Sequence, residues 1–354
     1  MYREGAQTPA LHSGAMEWPQ VLGDLAAGAD LDREAARAAM TNVMAGEATP
    51  AQIAAFIVSL RIKGETVEEI TGLVEAMRAA AVAVDVGVPV VDTAGTGGDR
   101  SGTFNISTTA ALIAAGAGAK VAKHGNRSAS SLCGSADVLE ELGVAIDLPP
   151  DATASLVRDI GFGFFFAPLY HPAMRFAGPV RRELGIPTVF NFLGPLANPA
   201  AAKRQAIGVS DPKMAERMIG VLQNLGSEYA FVYYGEDGLD EITTTGPTYI
   251  YRLRAGEVTH AEFTPEDFGV PRSRPGDLLG GDAPTNAAIV RAVLGGERSA
   301  RRDAAVVNAA PALVAAGLAK GFEDGVAVAN SAIDNGSAAA VLDSVIERSQ
   351  ALRA

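Results

Sequence analysis

A glycine-rich segment, residues 92–99, has the composition of a phosphate-binding loop. Three glycines fall within four positions, after an apolar run that predicts a β-strand and before a helical sequence that begins near Asn105. Glycine lets the backbone approach a ligand closely, and the N–H groups of such a turn and of the following helix N-terminus attract anions. A tight strand-to-helix turn capped by Asn105 or Ser107 explains the same residues, so both interpretations stand on the local pattern. A dinucleotide fingerprint would need glycine in place of Arg100, and the Gly-Lys-Ser/Thr ending of a P-loop is absent.

A second segment, residues 123–131, combines two fixed cations, one imidazole, one amide and three hydroxyl groups. This mixture suits phosphate oxygens better than a neutral ligand. The whole chain carries 41 acidic and 29 basic residues, a formal charge of −12, so this cationic segment is a local exception. A solvated basic loop is the alternative. The position directly after a predicted strand favours a ligand site, because ligands bind at the carboxyl edge of parallel sheets.

An acidic pair, Asp240 and Glu241, follows the predicted strand 229–234. Acidic runs are most often surface turns. Carboxylates at a strand end also hold Mg²⁺, which uses few protein oxygens and keeps water and substrate phosphates as its other ligands. Because two candidate phosphate loops occur in the same chain, the sequence favours an Mg²⁺ site that bridges phosphates to these carboxylates.

The composition argues against several classes of protein. The net charge and a pI of about 4.9 exclude a broad basic surface for duplex nucleic acid or anionic lipid. Cys133 is the only cysteine, which excludes an intramolecular disulfide and a cysteine-based zinc cluster and favours the cytoplasm; we interpret it as a small packed residue rather than a nucleophile. Residues 1–18 contain no apolar signal-peptide region and the apolar run 110–119 is too short to span a bilayer, so we expect neither export nor a membrane span.

The hydrophobic pattern predicts two kinds of structure along the 354 residues. We interpret residues 1–15 as a loose tail. Residues 20–80 show helical periodicity, with capping boxes that begin at Thr49 and Thr66, and predict a small helical unit. From about residue 82 the pattern alternates between short strands and helices, which is typical of an α/β domain. We predict strands at residues 88–92, 119–124, 144–147, 163–167, 205–209 and 229–234, a hairpin over residues 249–263, and a helix over residues 131–142.

Together the motifs resemble the anthranilate phosphoribosyltransferases of tryptophan biosynthesis, across about residues 20–350. The segments that carry the resemblance are residues 44–50, 95–99, 105–108, 123–127, 134–140 and 240–241. The resemblance implies transfer of the 5-phosphoribosyl group of phosphoribosyl pyrophosphate (PRPP) to the amine of anthranilate by a homodimeric glycosyltransferase. It also implies a nucleoside-phosphorylase-like fold, with a small all-helical domain and a larger α/β domain built on a central mixed sheet. The implied domains are residues 16–80, with residues 180–200 returning to them, and residues 81–179 with 201–354.

The resemblance also implies the site residues. Arg181, which by itself reads as a solvated helix residue, would face the anthranilate carboxylate, and Gly95, Asn126, His124 and Pro168 would complete the anthranilate pocket. His124 is the candidate acceptor of the amine proton. Mg²⁺ would be held by Ser107, Asp240 and Glu241. The implied PRPP site comprises Gly95, Gly98, Asp99, Thr103, Asn105, Ile106, Ser107, Thr108, Lys123, His124, Gly125, Asn126, Arg127, Ser128, Ala129, Ser130, Ser131 and Ser135.

Two other functions fit parts of the pattern. A pyrimidine nucleoside phosphorylase of the same fold also handles ribose and phosphate, but the Asp240–Glu241 pair and the segment 123–127 favour a diphosphate-bearing donor. A non-catalytic relative that binds nucleic acid is opposed by the net charge of −12. The sequence gives no prediction about an amidotransferase subunit as partner.

Overall fold

The computed structural model describes residues 16–128 and 132–353. The proposed tail, residues 1–15, and the proposed ligand residues Ala129, Ser130 and Ser131 lie outside the described residues.

The chain begins with a bundle of four helices whose ends are set by local sequence. Thr49 and Gln52 form a capping box, as do Thr66 and Glu69, and both boxes confirm the predictions. Gly46 ends its helix in the left-handed conformation, at φ +77°. The bundle comprises α1 (Trp18–Ala26), α2 (Arg33–Ala45), α3 (Pro50–Lys63) and α4 (Val67–Ala79).

A seven-stranded mixed sheet forms the centre of the remaining chain. Its strands are β1 (Val91–Gly95), β2 (Val121–Gly125), β3 (Phe162–Phe166), β4 (Arg204–Gly208), β5 (Tyr229–Gly235), β6 (Thr248–Arg254) and β7 (Glu257–Phe263). The spatial order is β3-β2-β1-β4-β5-β6-β7; the pairs from β3 to β5 are parallel, whereas β6 and β7 pair antiparallel. The predicted hairpin is confirmed, and it turns at Ala255 and Gly256, both with positive φ.

Helices cover both faces of the sheet. They are α5 (Ile106–Gly116), α6 (Ser135–Leu142), α7 (Pro150–Asp159), α8 (Ala167–Tyr170), α9 (Met174–Leu184), α10 (Phe190–Leu196), α11 (Pro212–Asn224), α12 (Ala283–Leu294), α13 (Ala300–Ala316), α14 (Phe322–Asp334) and α15 (Ser337–Arg353). On one face, α5 and α12 to α15 enclose a core that includes Ala206 and Phe231. On the other face, Ile207 and Val232 pack in one cluster with the four-helix bundle and α11. Helices α9 and α10 also join this second cluster.

The strand order creates a crevice where the site is expected. The chain runs from β1 to β2 and β3 on one side, and β4 then pairs with the opposite side of β1. In parallel sheets, ligands bind at the carboxyl edge where the strand order reverses. Gly95 and Gly208 are the last residues of the two strands that flank this point, and they are paired with each other.

Two local predictions are wrong. Residues 144–147 form no strand and lead directly into α7, although their apolar side chains are buried. The helix predicted over residues 131–142 begins at Ser135, where Asp137 Oδ2 accepts from the N–H of Gly134 and fixes the first turn; residue 131 lies outside the described residues. The strand error arises because a short buried apolar run has no periodicity that separates strand from coil. Among the helices of residues 16–128 and 132–353, none has both the length and the apolar character that a bilayer crossing requires.

Candidate active site

Lys123 is the third of the five residues of β2, and its buried ammonium group faces β1 and α5. Its Nζ donates a hydrogen bond to the carbonyl oxygen of Thr93 at 2.6 Å and lies 3.4 Å from the hydroxyl of Ser107. Only 2% of Lys123 is exposed. Burial lowers its pKa, while the carboxylates of Asp92 and Glu241 act in the opposite direction. The lysine is therefore fixed at the point where β1, β2 and α5 meet.

The acidic pair lies against the same point. The backbone N–H of Ser107, in the first turn of α5, donates to Glu241 Oε1 at 3.1 Å. The N–H of Gly97 donates to Asp240 Oδ2 at 2.6 Å. The structure thus brings the glycine-rich loop, the start of α5, Lys123 and both acidic residues together, from segments more than 100 residues apart in sequence.

The carboxylates of Asp240 and Glu241 are buried with less neighbouring positive charge than would balance them. Burial, together with the neighbouring carboxylate of Asp99, raises the pKa of Asp240 to about 7. Burial and the charge of Asp240 raise the pKa of Glu241 well above its usual value, against the pull of Lys123. A divalent cation would stabilise such a cluster. The described residues contain no group of three or more His, Cys, Asp or Glu side chains arranged to hold a metal; two carboxylates and the Ser107 hydroxyl are the smaller ligand set that Mg²⁺ accepts.

The loop after β2 contains both exposed polar groups and groups that already pair with other parts of the protein. Arg127 is half-exposed and its guanidinium pairs with Asp137 at 2.9 Å and with Glu140 at 2.6 Å. Its charge is therefore used by α6, contrary to the simplest picture of a cation that is free for phosphate. Asn126 is exposed, and its backbone oxygen accepts from the hydroxyl of Ser135 at 3.1 Å.

The remaining predicted PRPP residues differ in what they can present to a ligand. Ile106 is 1% exposed and its side chain belongs to the core, so only its backbone faces the loop. Thr108 is also buried. Asp99 accepts from the Ser101 hydroxyl at 2.7 Å. Further members are Gly98 in the left-handed conformation, half-buried Thr103, Gly125 against the Ser135 hydroxyl, and Ser128, whose N–H donates to Asp137.

His124 is buried beside a second imidazole. Its Nδ1 lies 3.0 Å from the carbonyl oxygen of Gly194, so this nitrogen carries the proton. The ring lies 5.0 Å from that of His171, and the Nε2 atoms of both are buried without a hydrogen-bond partner in the part of the chain that the structure describes. Burial lowers the pKa of His124 to about 3 and that of His171 to about 4. Both rings are therefore neutral, weak bases at neutral pH.

Arg181 on α9 is a half-buried cation with its guanidinium over the ring of Phe190, 5.2 Å from the ring centre. Burial lowers its pKa, and no ion pair to it exists within residues 16–128 and 132–353. A planar, poorly solvated guanidinium without a counter-ion is suited to an incoming carboxylate. Pro168 is exposed at the start of α8.

Comparisons with known proteins cover both parts of this fold. The model of the glycosyl transferase family, helical bundle domain, matches residues 19–81, and that of the a/b domain matches residues 87–339. Anthranilate phosphoribosyltransferase from Moorella thermoacetica is 54% identical over 326 residues, which cover 92% of this chain and 96% of the relative. The chain belongs to the anthranilate phosphoribosyltransferase family. The resemblance inferred from the motifs is thereby confirmed.

Two solved structures of anthranilate phosphoribosyltransferases extend the comparison to the fold. The Thermus thermophilus protein is 40% identical with a TM-score of 0.89, over 94% of this chain and 99% of that one. The Saccharomyces cerevisiae protein, solved in complex with PRPP and Mg, is 26% identical with a TM-score of 0.87, over 94% of this chain and 98% of that one. The expected fold class, a helical domain with a larger α/β domain on a mixed sheet, is confirmed.

In this anthranilate phosphoribosyltransferase family member, three residues that sequence reasoning missed position the site. Gly208 lies so close to Asp240 that an added Cβ would be 1.7 Å from the Asp240 carbonyl oxygen. Asn308 on α13 binds both backbone groups of Ile242, at 2.8 and 2.9 Å, and so fixes the residue after the acidic pair. Asn286 on α12 binds Asn105 at 2.8 Å. None of the three belongs to a local motif, so no signal in a single sequence marks them.

Cavities elsewhere do not coincide with the predicted site. Two adjoining cavities of about 670 and 460 Å³ share Tyr229, Val314 and Lys320 as lining residues. Tyr229 is the first residue of β5, so the cavities lie towards the amino edge of the sheet. They include none of the predicted site residues.

Proposed function

We propose that this chain transfers the 5-phosphoribosyl group of PRPP to the amine of anthranilate, giving N-(5-phosphoribosyl)anthranilate and pyrophosphate in tryptophan biosynthesis. The observation that carries the proposal is the meeting of Lys123, Ser107 and the acidic pair at one sheet edge, in a chain 54% identical to a relative of that name. The relative solved with PRPP and Mg supports the same donor and metal.

The donor phosphates would bind to the glycine-rich loop and the N-terminus of α5. Asn105 occupies the N-cap position of α5 but makes no side-chain cap, so it does not compete with a ligand for the first N–H groups of the helix. N–H groups at a helix start attract phosphate oxygens. In the first turn of α5, the N–H of Ile106 donates to the Phe104 oxygen and that of Ser107 to Glu241, so the N–H of Thr108 is the candidate donor to a phosphate. Lys123 lies 3.4 Å from the Ser107 hydroxyl and supplies a fixed positive charge beside them.

Asp240, Glu241 and Ser107 would hold Mg²⁺. Their fit rests on two adjacent buried carboxylates, whose pKa values are raised by burial and by the charge of neighbouring carboxylates. Bound Mg²⁺ would neutralise the charge of the diphosphate leaving group. The residues of the chain position the carboxylates: Gly97 and Ser107 donate backbone hydrogen bonds to them.

The acceptor would lie on the opposite side of the ribose. Arg181 would bind the anthranilate carboxylate through its planar fork, and Asn126 and Gly95 would adjoin the amine. His124 and Pro168 would line the pocket. The low pKa of His124 makes it a poor proton acceptor, so we assign it a lining role in preference to the catalytic one considered from sequence.

The reaction needs orientation more than strong acid–base groups. The bond from the ribose anomeric carbon to the pyrophosphate oxygen breaks as the bond to the anthranilate nitrogen forms, and positive charge develops on the sugar between them. The nitrogen then releases one proton to water, which gives the neutral secondary amine of the product. Holding the amine in line removes much of the entropic barrier, and preorganised N–H groups and Lys123 stabilise the departing negative charge. No covalent enzyme intermediate is required.

The direct test is turnover. When the purified protein is mixed with anthranilate, PRPP and Mg²⁺, the anthranilate fluorescence should decrease in step with pyrophosphate release. Removal of Mg²⁺ with a chelator should stop the reaction. Phosphorolysis of a pyrimidine nucleoside without anthranilate turnover would support the phosphorylase alternative. Binding of single-stranded DNA without either reaction would support the nucleic-acid-binding alternative.

The metal assignment has its own test. Glu241→Gln removes one carboxylate charge at nearly constant shape and should greatly raise the Mg²⁺ concentration needed for half-maximal activity. The matched control is Glu236→Gln, an exposed carboxylate on the same loop, which should behave as wild type. Equal Mg²⁺ dependence in the two variants would remove Glu241 from the metal site.

A homodimer and a cytoplasmic location complete the proposal. Ile62, near the end of α3, is 81% exposed and follows half-buried Val58, which packs against the core of the helical bundle. Burial of this exposed apolar side chain against a second copy of the chain is what the dimer proposal expects. Ile62→Glu should convert a dimer to a monomer in size-exclusion chromatography with light scattering, whereas Val88→Glu, at an exposed apolar residue elsewhere, should not. The single cysteine, Cys133, suits the reducing cytoplasm, which a fractionation experiment would check.

A further inference from the structure

A buried asparagine on α12 reaches the start of α5 from a distant part of the chain. Asn286 is 1% exposed. Its Nδ2 donates to Asn105 Oδ1 at 2.8 Å, and its own Oδ1 accepts from the N–H of Gly281 at 2.8 Å. Both ends of this amide are therefore used, one within its own segment and one across 181 residues of sequence.

Asn105 is turned away from the helix that it precedes. Asparagine at an N-cap position normally accepts a hydrogen bond from the second or third N–H of its helix. Here Asn105 makes no such bond. Its Nδ2 instead donates to the carbonyl oxygen of Cys133 at 3.2 Å, and its Oδ1 receives both Asn286 Nδ2 and the Cys133 thiol, the latter at 3.4 Å.

The backbone around this contact is closely packed. Phe104 N–H donates to the Leu278 oxygen at 3.1 Å, and Gly280 N–H donates to the Gly102 oxygen at 2.9 Å. A Cβ on Gly280 would lie 2.5 Å from Asn286 Oδ1 and 2.7 Å from Phe104 Cα. The segment before α12 therefore holds the end of the glycine-rich loop in place.

We propose that Asn286 is a positioning residue for the donor site: by holding the Asn105 side chain against Cys133, it keeps the Asn105 oxygen away from the N–H of Thr108, so that this N–H can bind a donor phosphate. The other two N–H groups of the first turn, those of Ile106 and Ser107, donate to the Phe104 oxygen and to Glu241. Without the bond from Asn286, the Asn105 oxygen is free to turn back and cap its own helix, where it would compete with the ligand. This role rests on the proposed function, because it assumes that an anionic donor binds at the start of α5.

The isosteric variant Asn286→Asp tests the hydrogen bond from Asn286 to Asn105. Its carboxylate still accepts from Gly281 but no longer donates to Asn105, so the packing is retained while the clamp is lost. We expect the dissociation constant of PRPP with Mg²⁺, measured by calorimetry, to rise about tenfold. The KM for anthranilate should stay near that of wild type. Asn330→Ala is the control, because half-buried Asn330 binds Arg302 far from the loop; it should lower Tm without changing PRPP affinity.

A double-mutant cycle gives a second readout. In an Asn105→Ala background, the further change at Asn286 should have little effect on PRPP affinity, because the two residues act through one bond.

The outcomes separate the two proposals. Weaker PRPP binding in Asn286→Asp that disappears in the Asn105→Ala background supports the positioning role, even if anthranilate turnover were absent and the proposed function failed. Unchanged PRPP affinity in Asn286→Asp would overturn the positioning role. Additive losses from Asn105→Ala and Asn286→Asp would also overturn it.

Discussion

The contact between Gly208 and Asp240 gives the sharpest test of the site, because it involves backbone that cannot move aside cheaply. A Cβ at position 208 would lie 1.7 Å from the Asp240 carbonyl oxygen and 2.5 Å from its carbonyl carbon. Ordinary contacts of this kind need about 3.5 Å. In Gly208→Ala, the backbone of Asp240 must therefore move by about 1.5–2 Å, and Glu241 must move with it.

The expected loss follows from that displacement. Overpacking in a buried region costs about 1–3 kcal/mol of folding stability, so the variant should fold with a Tm lowered by a few degrees. Misplacing catalytic groups by about 1 Å can cost about 100-fold in rate, which corresponds to about 2.7 kcal/mol of transition-state stabilisation. We therefore expect kcat/KM for PRPP to fall about 100-fold and the Mg²⁺ requirement to rise.

The assay is anthranilate consumption, followed by fluorescence over a matrix of PRPP and Mg²⁺ concentrations. Gly246→Ala is the matched control, since an added Cβ there meets no atom within 4 Å and the residue lies in the same loop as the acidic pair. A folded Gly208→Ala protein with wild-type kcat/KM and Mg²⁺ dependence would show that the position of Asp240 and Glu241 does not govern the reaction.

Three further predictions follow from single side chains. Arg181→Ala should raise the KM for anthranilate far more than that for PRPP, while exposed Arg182→Ala should change neither; equal rises in steady-state kinetics would contradict the carboxylate role. Asp240→Asn should retain the fold and lose Mg²⁺-dependent turnover, as checked by circular dichroism and the same assay. Burial lowers the pKa of His171 from 6.5 to about 4. As the pH falls through 6.5, the unfolded protein takes up a proton at this ring before the folded protein does, so the free energy of unfolding decreases until about pH 4. We therefore expect the free energy of unfolding, measured in urea, to fall by about 2 kcal/mol less between pH 7 and pH 5 in His171→Asn than in wild type. An identical fall in the two proteins would exclude a buried neutral imidazole at position 171.

Prediction from sequence succeeded where the signal is local. The capping boxes at Thr49 and Thr66 and the turn at Ala255–Gly256 are decided within a few residues, and the structure has each of them. It failed at residues 144–147 because burial alone, without a strand partner, does not make a strand. Backbone hydrogen bonding to a neighbour is a property of the tertiary structure.

The candidate site shows the same division. The types of its residues were evident in sequence, and the co-occurrence of two phosphate loops with Asp240–Glu241 indicated that they act together. The partners of Arg127 could not be predicted from the sequence. Its charge favoured a phosphate ligand, whereas in the fold its guanidinium pairs with Asp137 and Glu140 on the next helix.

The sequence by itself determined the chemistry available to this protein: the glycines, cations and carboxylates, their places at strand ends, and the family to which those motifs point. Only the tertiary structure decided which of these groups face one another. The order of strands brought β1 beside β4 and so placed Gly208 under Asp240, and the packing of α12 brought Asn286 to Asn105. Such contacts join residues far apart in the chain through close packing, and local propensity contains no information about them.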